Sequence, residues 1–202
     1  GQILADITKD RKIKSVAITY TNNDYGKGLA DVYAAAVKAH GIKVTTSAAH
    51  EDGKADYSAE VATLASAGGD AVAVIGYLDQ GGKGIIQGSL DSGAFDTFIL
   101  SDGMIGDSLT DTFGKSLNKS FGSLPGSTGK GAGVFAKVAK AAGIDSSGPY
   151  TGESYDAAAL ITLAMQAGGK ADRATIQKNV MSVANAPGKK IYPGELKKAL
   201  DL

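Results

Sequence analysis

Short apolar runs and amphipathic stretches alternate along the first hundred residues. The run Ser15–Tyr20 is rich in β-forming residues and is flanked by charged and turn residues, which predicts a buried strand. From Tyr25 to His40 apolar side chains recur every three or four positions, and Gly41 follows, which predicts a helix with a glycine stop. The cycle then repeats. It predicts strands at Ile42–Thr46, Ala71–Gly76 and Thr97–Leu100 and helices at Tyr57–Ala67 and Gly82–Ser92.

Strands that alternate with helices over short connections predict the α/β fold class. Each pair of parallel strands needs a crossover, and a helix supplies it. We therefore expect residues 1–122 to form a Rossmann-like lobe, a parallel sheet with helices on both faces. In such sheets ligands bind beyond the carboxyl ends of the strands, so those ends are the first places to look for function.

The pattern changes after residue 120. Residues 121–133 (FGSLPGSTGKGAG) are dense in glycine, serine and proline, which is typical of a loop or a crossing between lobes. Helical patterns follow at 134–142, 153–167 and 173–183, with no strand of similar quality between them. We expect residues 123–202 to be a hinge and a helical segment that belongs to another lobe and lacks its sheet.

Two tyrosines and one carboxylate follow three different predicted strands. Tyr25 follows the first strand, Tyr77 the third and Asp102 the fourth. A carboxylate among aromatic rings suits a small cation such as an α-amino group, because it neutralises the charge while the rings shield it. Acids and amides at such turns are also common helix caps, and tyrosines are common rim packing. Taken singly, each residue is better explained by this ordinary interpretation, as a helix cap or as packing. The placement of all three at the ends of predicted strands favours a binding site.

A glycine stands beside each of these three residues. These glycines could let a ligand approach the backbone closely. They are Gly26, Gly76 and Gly103.

Composition removes several classes of function. The 21 basic and 21 acidic side chains balance, so no overall field favours nucleic acid. Cysteine is absent, which excludes thiolate chemistry and disulfides. The sequence nearest to a phosphate loop, residues 127–133, lacks the required glycine and Ser/Thr positions, and no cofactor is expected. The two histidines, His40 and His50, are expected at the surface.

Four segments together resemble the substrate-binding proteins of branched-chain amino acid ABC transporters. They are TNNDYGKGLAD, DAVAVIGYLDQGG, FDTFILSDGM and SSGPYTGESYDAAALI, which start at residues 21, 70, 95 and 146. The resemblance implies a periplasmic binding protein of type I, in which two α/β lobes close over an amino acid. It implies that Asp102 pairs with the ligand ammonium, that Tyr25 and Tyr77 line the cleft, and that Tyr150 lies near the side-chain pocket.

The resemblance also implies partners and a location. They are a branched-chain or related amino acid, a membrane permease, and the periplasm or the outer surface of the cell, where the protein could be a membrane-anchored lipoprotein. A complete member has a long segment before residue 1, so the chain resembles a C-terminal fragment whose uncovered helices, residues 130–202, could self-associate. The family usually carries Glu where this chain has Asp102, so the identity of the ligand stays open.

Two other functions remain as alternatives. The tetrapeptide GDSL contains Ser108 and matches the nucleophile motif of a family of serine esterases. That chemistry needs a downstream histidine, whereas both histidines lie upstream, so Asp107 and Ser108 are better explained as helix caps. The same two-lobed core also senses small molecules in transcriptional repressors and receptors. We therefore expect a binding protein and not an enzyme.

Overall fold

A parallel five-stranded sheet organises the amino-terminal part of the chain. The computed structural model describes residues 1–202, and the order of the strands across the sheet is β2-β1-β3-β4-β5. Every neighbouring pair is parallel, which confirms the predicted sheet. The strands are β1 (Ser15–Thr21), β2 (Lys43–His50), β3 (Ala71–Ile75), β4 (Phe98–Leu100) and β5 (Phe121–Gly122).

Five helices accompany this sheet. The helix after the first strand begins one residue before the predicted start and ends at Ala39, close to the prediction. Two further helices, at the start of the chain and after β4, complete the set. The helices are α1 (Gln2–Asp10), α2 (Asp24–Ala39), α3 (Ser58–Ala67), α4 (Lys83–Ser92) and α5 (Asp107–Phe113).

Helices cover both faces of the sheet, as the sequence predicts. The central strand β3 is fully buried, and its side chains alternate between the two faces. Val72 and Val74 pack in a cluster that includes Leu64 of α3 and Ile85 of α4. On the other face, Ala71, Ala73 and Ile75 pack in a cluster with residues of α1 and α2. Those residues include Leu4, Tyr33 and Val37.

The chain divides into two compact units, Gly1–Leu124 and Pro125–Leu202. The second unit contains helices and no strand. Its fully buried apolar side chains are Ala139 and Ala164, whereas Ile161 and Met181 are 44% and 68% exposed. That it belongs to another lobe stays a prediction. Its helices are α6 (Lys130–Ala141), α7 (Thr151–Gly168), α8 (Arg173–Ala184) and α9 (Leu196–Leu200).

His50 is buried, so the expectation of a surface position is wrong for this residue. It is the last residue of β2 and 1% exposed. Its Nδ1 lies 2.9 Å from the Thr19 hydroxyl, and its Nε2 is buried without a hydrogen-bond partner. Burial lowers the pKa of His50, while the negative charges of Asp52, Glu60 and Glu51 oppose this effect.

The turns after β3 and β4 approach each other closely at Gly103. A Cβ atom on Gly103 would lie 2.3 Å from the carbonyl oxygen of Gly76, far inside van der Waals contact. Gly76 directly follows β3, and Gly103 lies in a short 3-10 turn, Asp102–Met104, after β4. The backbone contact therefore fixes the distance between the two strand ends.

We predict that acid destabilises the fold through His50. A folded-state pKa below the unfolded value of about 6.5 means that its stability contribution is complete above that pH and is lost as the pH falls below it. The free energy of unfolding, measured by urea denaturation between pH 8 and pH 5, should therefore decline in the acid part of this range. The variant His50→Gln should lose part of that decline.

His40 supplies the matched control for this measurement. It is the C-cap of α2, and its Nε2 is 2.6 Å from the carboxylate of Asp6. The variant His40→Gln should keep the decline that His50 causes. An identical pH dependence in His50→Gln and the unmodified protein would contradict the prediction.

We predict that Gly103→Ala destabilises the first unit by about 1–3 kcal/mol, because the added methyl group meets a backbone atom and forces the strand ends apart. Thermal or urea unfolding measures the effect. The control is Gly28→Ala on α2, where a Cβ meets nothing within 4 Å. That change should stabilise the helix by up to about 1 kcal/mol. Equal stability of the two variants would show that the close approach is not a constraint.

Candidate functional site

Tyr25, Tyr77 and Asp102 lie together at the carboxyl edge of the sheet. The Tyr25 hydroxyl is 2.7 Å from Oδ1 of Asp102. The rings of Tyr25 and Tyr77 are stacked, with centroids 5.4 Å apart and planes inclined by 27°. Strands β1, β3 and β4 are consecutive neighbours in the sheet, which is why the turns that follow them meet. We call these three residues the aromatic–acid cluster.

Tyr25 reaches this edge because its neighbours hold the start of α2. Asn23 is the N-cap, and its side-chain oxygen accepts the Gly26 amide hydrogen at 2.9 Å. A polar residue therefore does cap this helix, as the ordinary interpretation expects. Tyr25 itself takes no part in capping and is only partly buried.

Tyr77 stands between β3 and a wide turn, Leu78–Gly82. This turn packs tightly: a Cβ on Gly81 would lie 2.7 Å from the Tyr57 hydroxyl, and one on Gly82 would lie 2.2 Å from the sulfur of Met104. Asp79 on the same turn pairs with Lys83 at 2.7 Å and has a side chain that is 73% exposed. Asp79 is therefore separate from the aromatic–acid cluster.

The glycines beside the cluster serve the packing of the protein itself, which corrects the idea that they leave room for a ligand. A Cβ on Gly26 would lie 2.1 Å from the carbonyl oxygen of Thr21, and one on Gly76 would lie 3.1 Å from Nε2 of His50. Gly103 abuts the Gly76 carbonyl, as described above. The space beside each glycine is already occupied.

The environment of Tyr25 keeps its phenol protonated. Burial is the main cause and raises the pKa of Tyr25 to about 12, with the Asp102 carboxylate acting in the same direction and Ser101 against it. The cluster thus presents a phenol as a donor to a carboxylate. The phenol of Tyr25 and the carboxylate of Asp102 can both contact a positively charged ligand. The protonated phenol cannot act as a base near neutral pH.

Ser101 is the residue at this site that the sequence did not single out. It is 1% exposed, and its Oγ lies 3.1 Å from the Tyr25 hydroxyl. The same oxygen accepts the amide hydrogen of Gly76 at 3.2 Å. The available signal was its position directly after a strand and directly before Asp102.

Tyr150, the fourth predicted site residue, belongs to the second unit. It precedes α7, has a positive φ of 62° and is 38% exposed. Its proposed place near a side-chain pocket stays a prediction.

The GDSL segment lies on a helix and is capped differently from the prediction. Gly106 is the N-cap of α5, and Asp107 and Ser108 lie in its first turn without a side-chain capping bond. The capping role predicted for Asp107 and Ser108 is therefore wrong. The histidines are engaged elsewhere, His40 with Asp6 and His50 with Thr19.

The structure contains no cluster of three or more His, Asp or Glu side chains suited to a metal ion. None of its helices combines the length and the apolar character that crossing a bilayer requires.

Two bacterial binding proteins are similar to the chain in sequence. Leu/Ile/Val-binding protein homolog 1 of Brucella melitensis is 30% identical over 181 residues, which are 88% of this chain and 47% of that protein. An amino acid binding protein of Pseudomonas aeruginosa is 28% identical over 195 residues, which are 92% of this chain and 51% of that protein. The chain thus spans about half the length of these relatives. They are binding proteins and not enzymes, in agreement with the sequence-based expectation.

Solved structures show the same fold. A periplasmic binding protein type 1 of Bordetella pertussis superposes with a TM-score of 0.74 at 23% identity, covering 90% of this chain and 52% of that one. LivJ of Streptococcus pneumoniae in complex with isoleucine has a TM-score of 0.65 at 18% identity, covering 89% of this chain and 51% of that one. A solute-binding protein of Rhodopseudomonas palustris in complex with 4-hydroxybenzoate has a TM-score of 0.68 at 16% identity, covering 88% of this chain and 50% of that one.

The family model described as periplasmic binding protein matches residues 2–190, nearly the whole chain. The match agrees with the parallel sheet and with the two sequence relatives. The fold is that of the type 1 structure, and the chain belongs to the periplasmic binding protein family.

Proposed function

We propose that the chain is part of an extracytoplasmic receptor that binds a branched-chain or related amino acid and delivers it to an ABC transporter permease. The observation that carries the proposal is the 2.7 Å contact between Tyr25 and Asp102 beside the stacked Tyr77 ring. The relatives named for amino acid binding support the ligand class.

The charge of the cluster favours an amine over a simple carboxylic acid. Asp102 is acidic, and a second negative charge beside it would repel it in a partly buried place. An ammonium group gains both the carboxylate and the aromatic faces. This reasoning favours a ligand of the isoleucine type over one of the 4-hydroxybenzoate type, although both occur among the similar structures.

Delivery to a permease follows from lobe closure in this proposal. A ligand shifts the population towards the closed form only if it binds that form better than the open one. Tyr25 and Tyr77 would then be covered when the other lobe closes, and Tyr150 would contribute to the side-chain pocket. The receptor would act in the periplasm or on the outer face of the cytoplasmic membrane.

We predict that Asp102→Asn weakens the binding of L-isoleucine to the full-length gene product by at least about 2–3 kcal/mol, because the ammonium loses its charged partner. Isothermal titration calorimetry measures the loss. The control is Asp79→Asn, four residues beyond the end of β3, whose carboxylate pairs with Lys83 outside the cluster. Its affinity should match that of the unmodified protein.

A thermal-shift screen tests the ligand class independently. The common amino acids should raise the melting temperature of the full-length gene product, and 4-hydroxybenzoate should not. Stabilisation by 4-hydroxybenzoate alone, or an unchanged affinity in Asp102→Asn, would contradict the proposed role of the carboxylate.

A further inference from the structure

Ser101 occupies a junction between two strand ends and the aromatic–acid cluster. It follows β4 directly and is almost fully buried. Its Oγ contacts a backbone amide at the end of β3, that of Gly76, and the phenol of Tyr25 at the start of α2. One hydroxyl group therefore joins three elements that carry the cluster.

The number of hydrogens decides the direction of the bonds at this junction. A phenol carries one hydrogen and can donate it to a single acceptor, whereas an ionised carboxylate can only accept. The shorter contact of the phenol, 2.7 Å, is the one with Asp102, and charge-assisted bonds are the stronger ones. The oxygens of Tyr25 and Ser101 lie 3.1 Å apart. Once the phenol hydrogen goes to Asp102, only the hydroxyl hydrogen of Ser101 can fill this second contact.

The result is a continuous series of bonds. With this assignment the amide of Gly76 donates to Ser101, Tyr25 donates its one phenol hydrogen to Asp102, and the 3.1 Å contact between the oxygens of Tyr25 and Ser101 is left to the hydroxyl hydrogen of Ser101. The opposing influence of Ser101 on the pKa of Tyr25 agrees with this direction, because a donor to the phenol oxygen stabilises the phenolate.

We infer that Ser101 is a positioning residue: it orients the Tyr25 hydroxyl so that the phenol hydrogen points at Asp102. Its consequence for ligand binding rests on the function proposed above. Its effect on Tyr25 is a property of the free protein.

Another buried serine shows what a hydroxyl without this role looks like. Ser89 on α4 is 0% exposed, and its Oγ has no hydrogen-bond partner. Removal of the Ser89 hydroxyl therefore breaks no bond, whereas removal of the Ser101 hydroxyl takes the acceptor from the Gly76 amide and leaves Tyr25 with Asp102 as its side-chain partner. Ser89→Ala is the matched control for Ser101→Ala.

The test follows the titration of Tyr25 directly. A 3,5-difluorotyrosine at position 25, whose phenol titrates nearer neutral pH, is observed by fluorine NMR in the full chain. Ser101→Ala should raise the pKa of this phenol by roughly 0.5 to 1 pH unit, because one neutral hydrogen bond to the phenolate is lost. Ser101→Thr, which keeps the hydroxyl, should restore the original titration, and Ser89→Ala should not change it.

The result that overturns the inference is an unchanged or lowered pKa in Ser101→Ala with the fold intact by circular dichroism. If Ser101→Ala does not fold, Ser101→Cys takes its place, since a thiol is a weaker donor of similar size. It should raise the pKa in the same direction by a smaller amount. The absence of a rise there also overturns the inference.

Calorimetry with L-isoleucine on the full-length gene product tests the consequence for binding. Ser101→Ala should weaken affinity by about fivefold, the effect of one neutral hydrogen bond. In a Tyr25→Phe background the same change should have almost no effect, since Ser101 acts through the Tyr25 hydroxyl. An equal loss in both backgrounds contradicts the positioning role.

The two measurements separate the two proposals. If the unmodified protein does not bind L-isoleucine, the proposed function fails for this ligand, and the fluorine titration still decides the role of Ser101. If Asp102→Asn weakens binding while Ser101→Ala leaves the Tyr25 titration unchanged, the receptor function stands and the inference on Ser101 falls.

Discussion

The candidate site depends on the parallel arrangement of β1, β3 and β4 as immediate neighbours. Parallel strands end at the same edge of a sheet, so the residues that follow them meet although they are far apart in sequence. Tyr25 and Asp102 are 77 positions apart and 2.7 Å from each other. The backbone contact between Gly103 and Gly76 then sets how closely the turns after β3 and β4 can stand. The stacking of Tyr25 on Tyr77 is one outcome of this arrangement.

Much of this could be predicted from the sequence, because hydrophobic periodicity shows where buried strands end. Strands β1, β3 and β4 are buried and strongly apolar, and their ends were placed to within about a residue. That accuracy was enough to select Tyr25, Tyr77 and Asp102. Whether these residues bind an amine is a question of chemistry that the pattern alone does not answer.

The failures of prediction have equally local causes. Strand β2 lies at the edge of the sheet, and its second half, with Ser47 and two alanines, carries no strong pattern. It was therefore predicted to end at Thr46, which placed His50 in a loop, whereas β2 runs to His50 and buries it. Strand β5 has two residues in a glycine-rich segment, too few for any periodicity. Ser101 is a partner of Tyr25 through a contact over 76 positions, which no local pattern encodes.

The three occupied glycine positions have a consequence for how this family member could diversify. Since Gly26, Gly76 and Gly103 have no room for even a methyl group without displacing neighbouring atoms, the loops that carry the cluster tolerate little backbone drift. If the cluster binds the ligand as proposed, new ligand preferences would then arise by exchanging the rings and the acid on an unchanged frame. The glycines would thus restrict changes in the backbone of these turns, whereas the side chains of the cluster could still be exchanged during evolution.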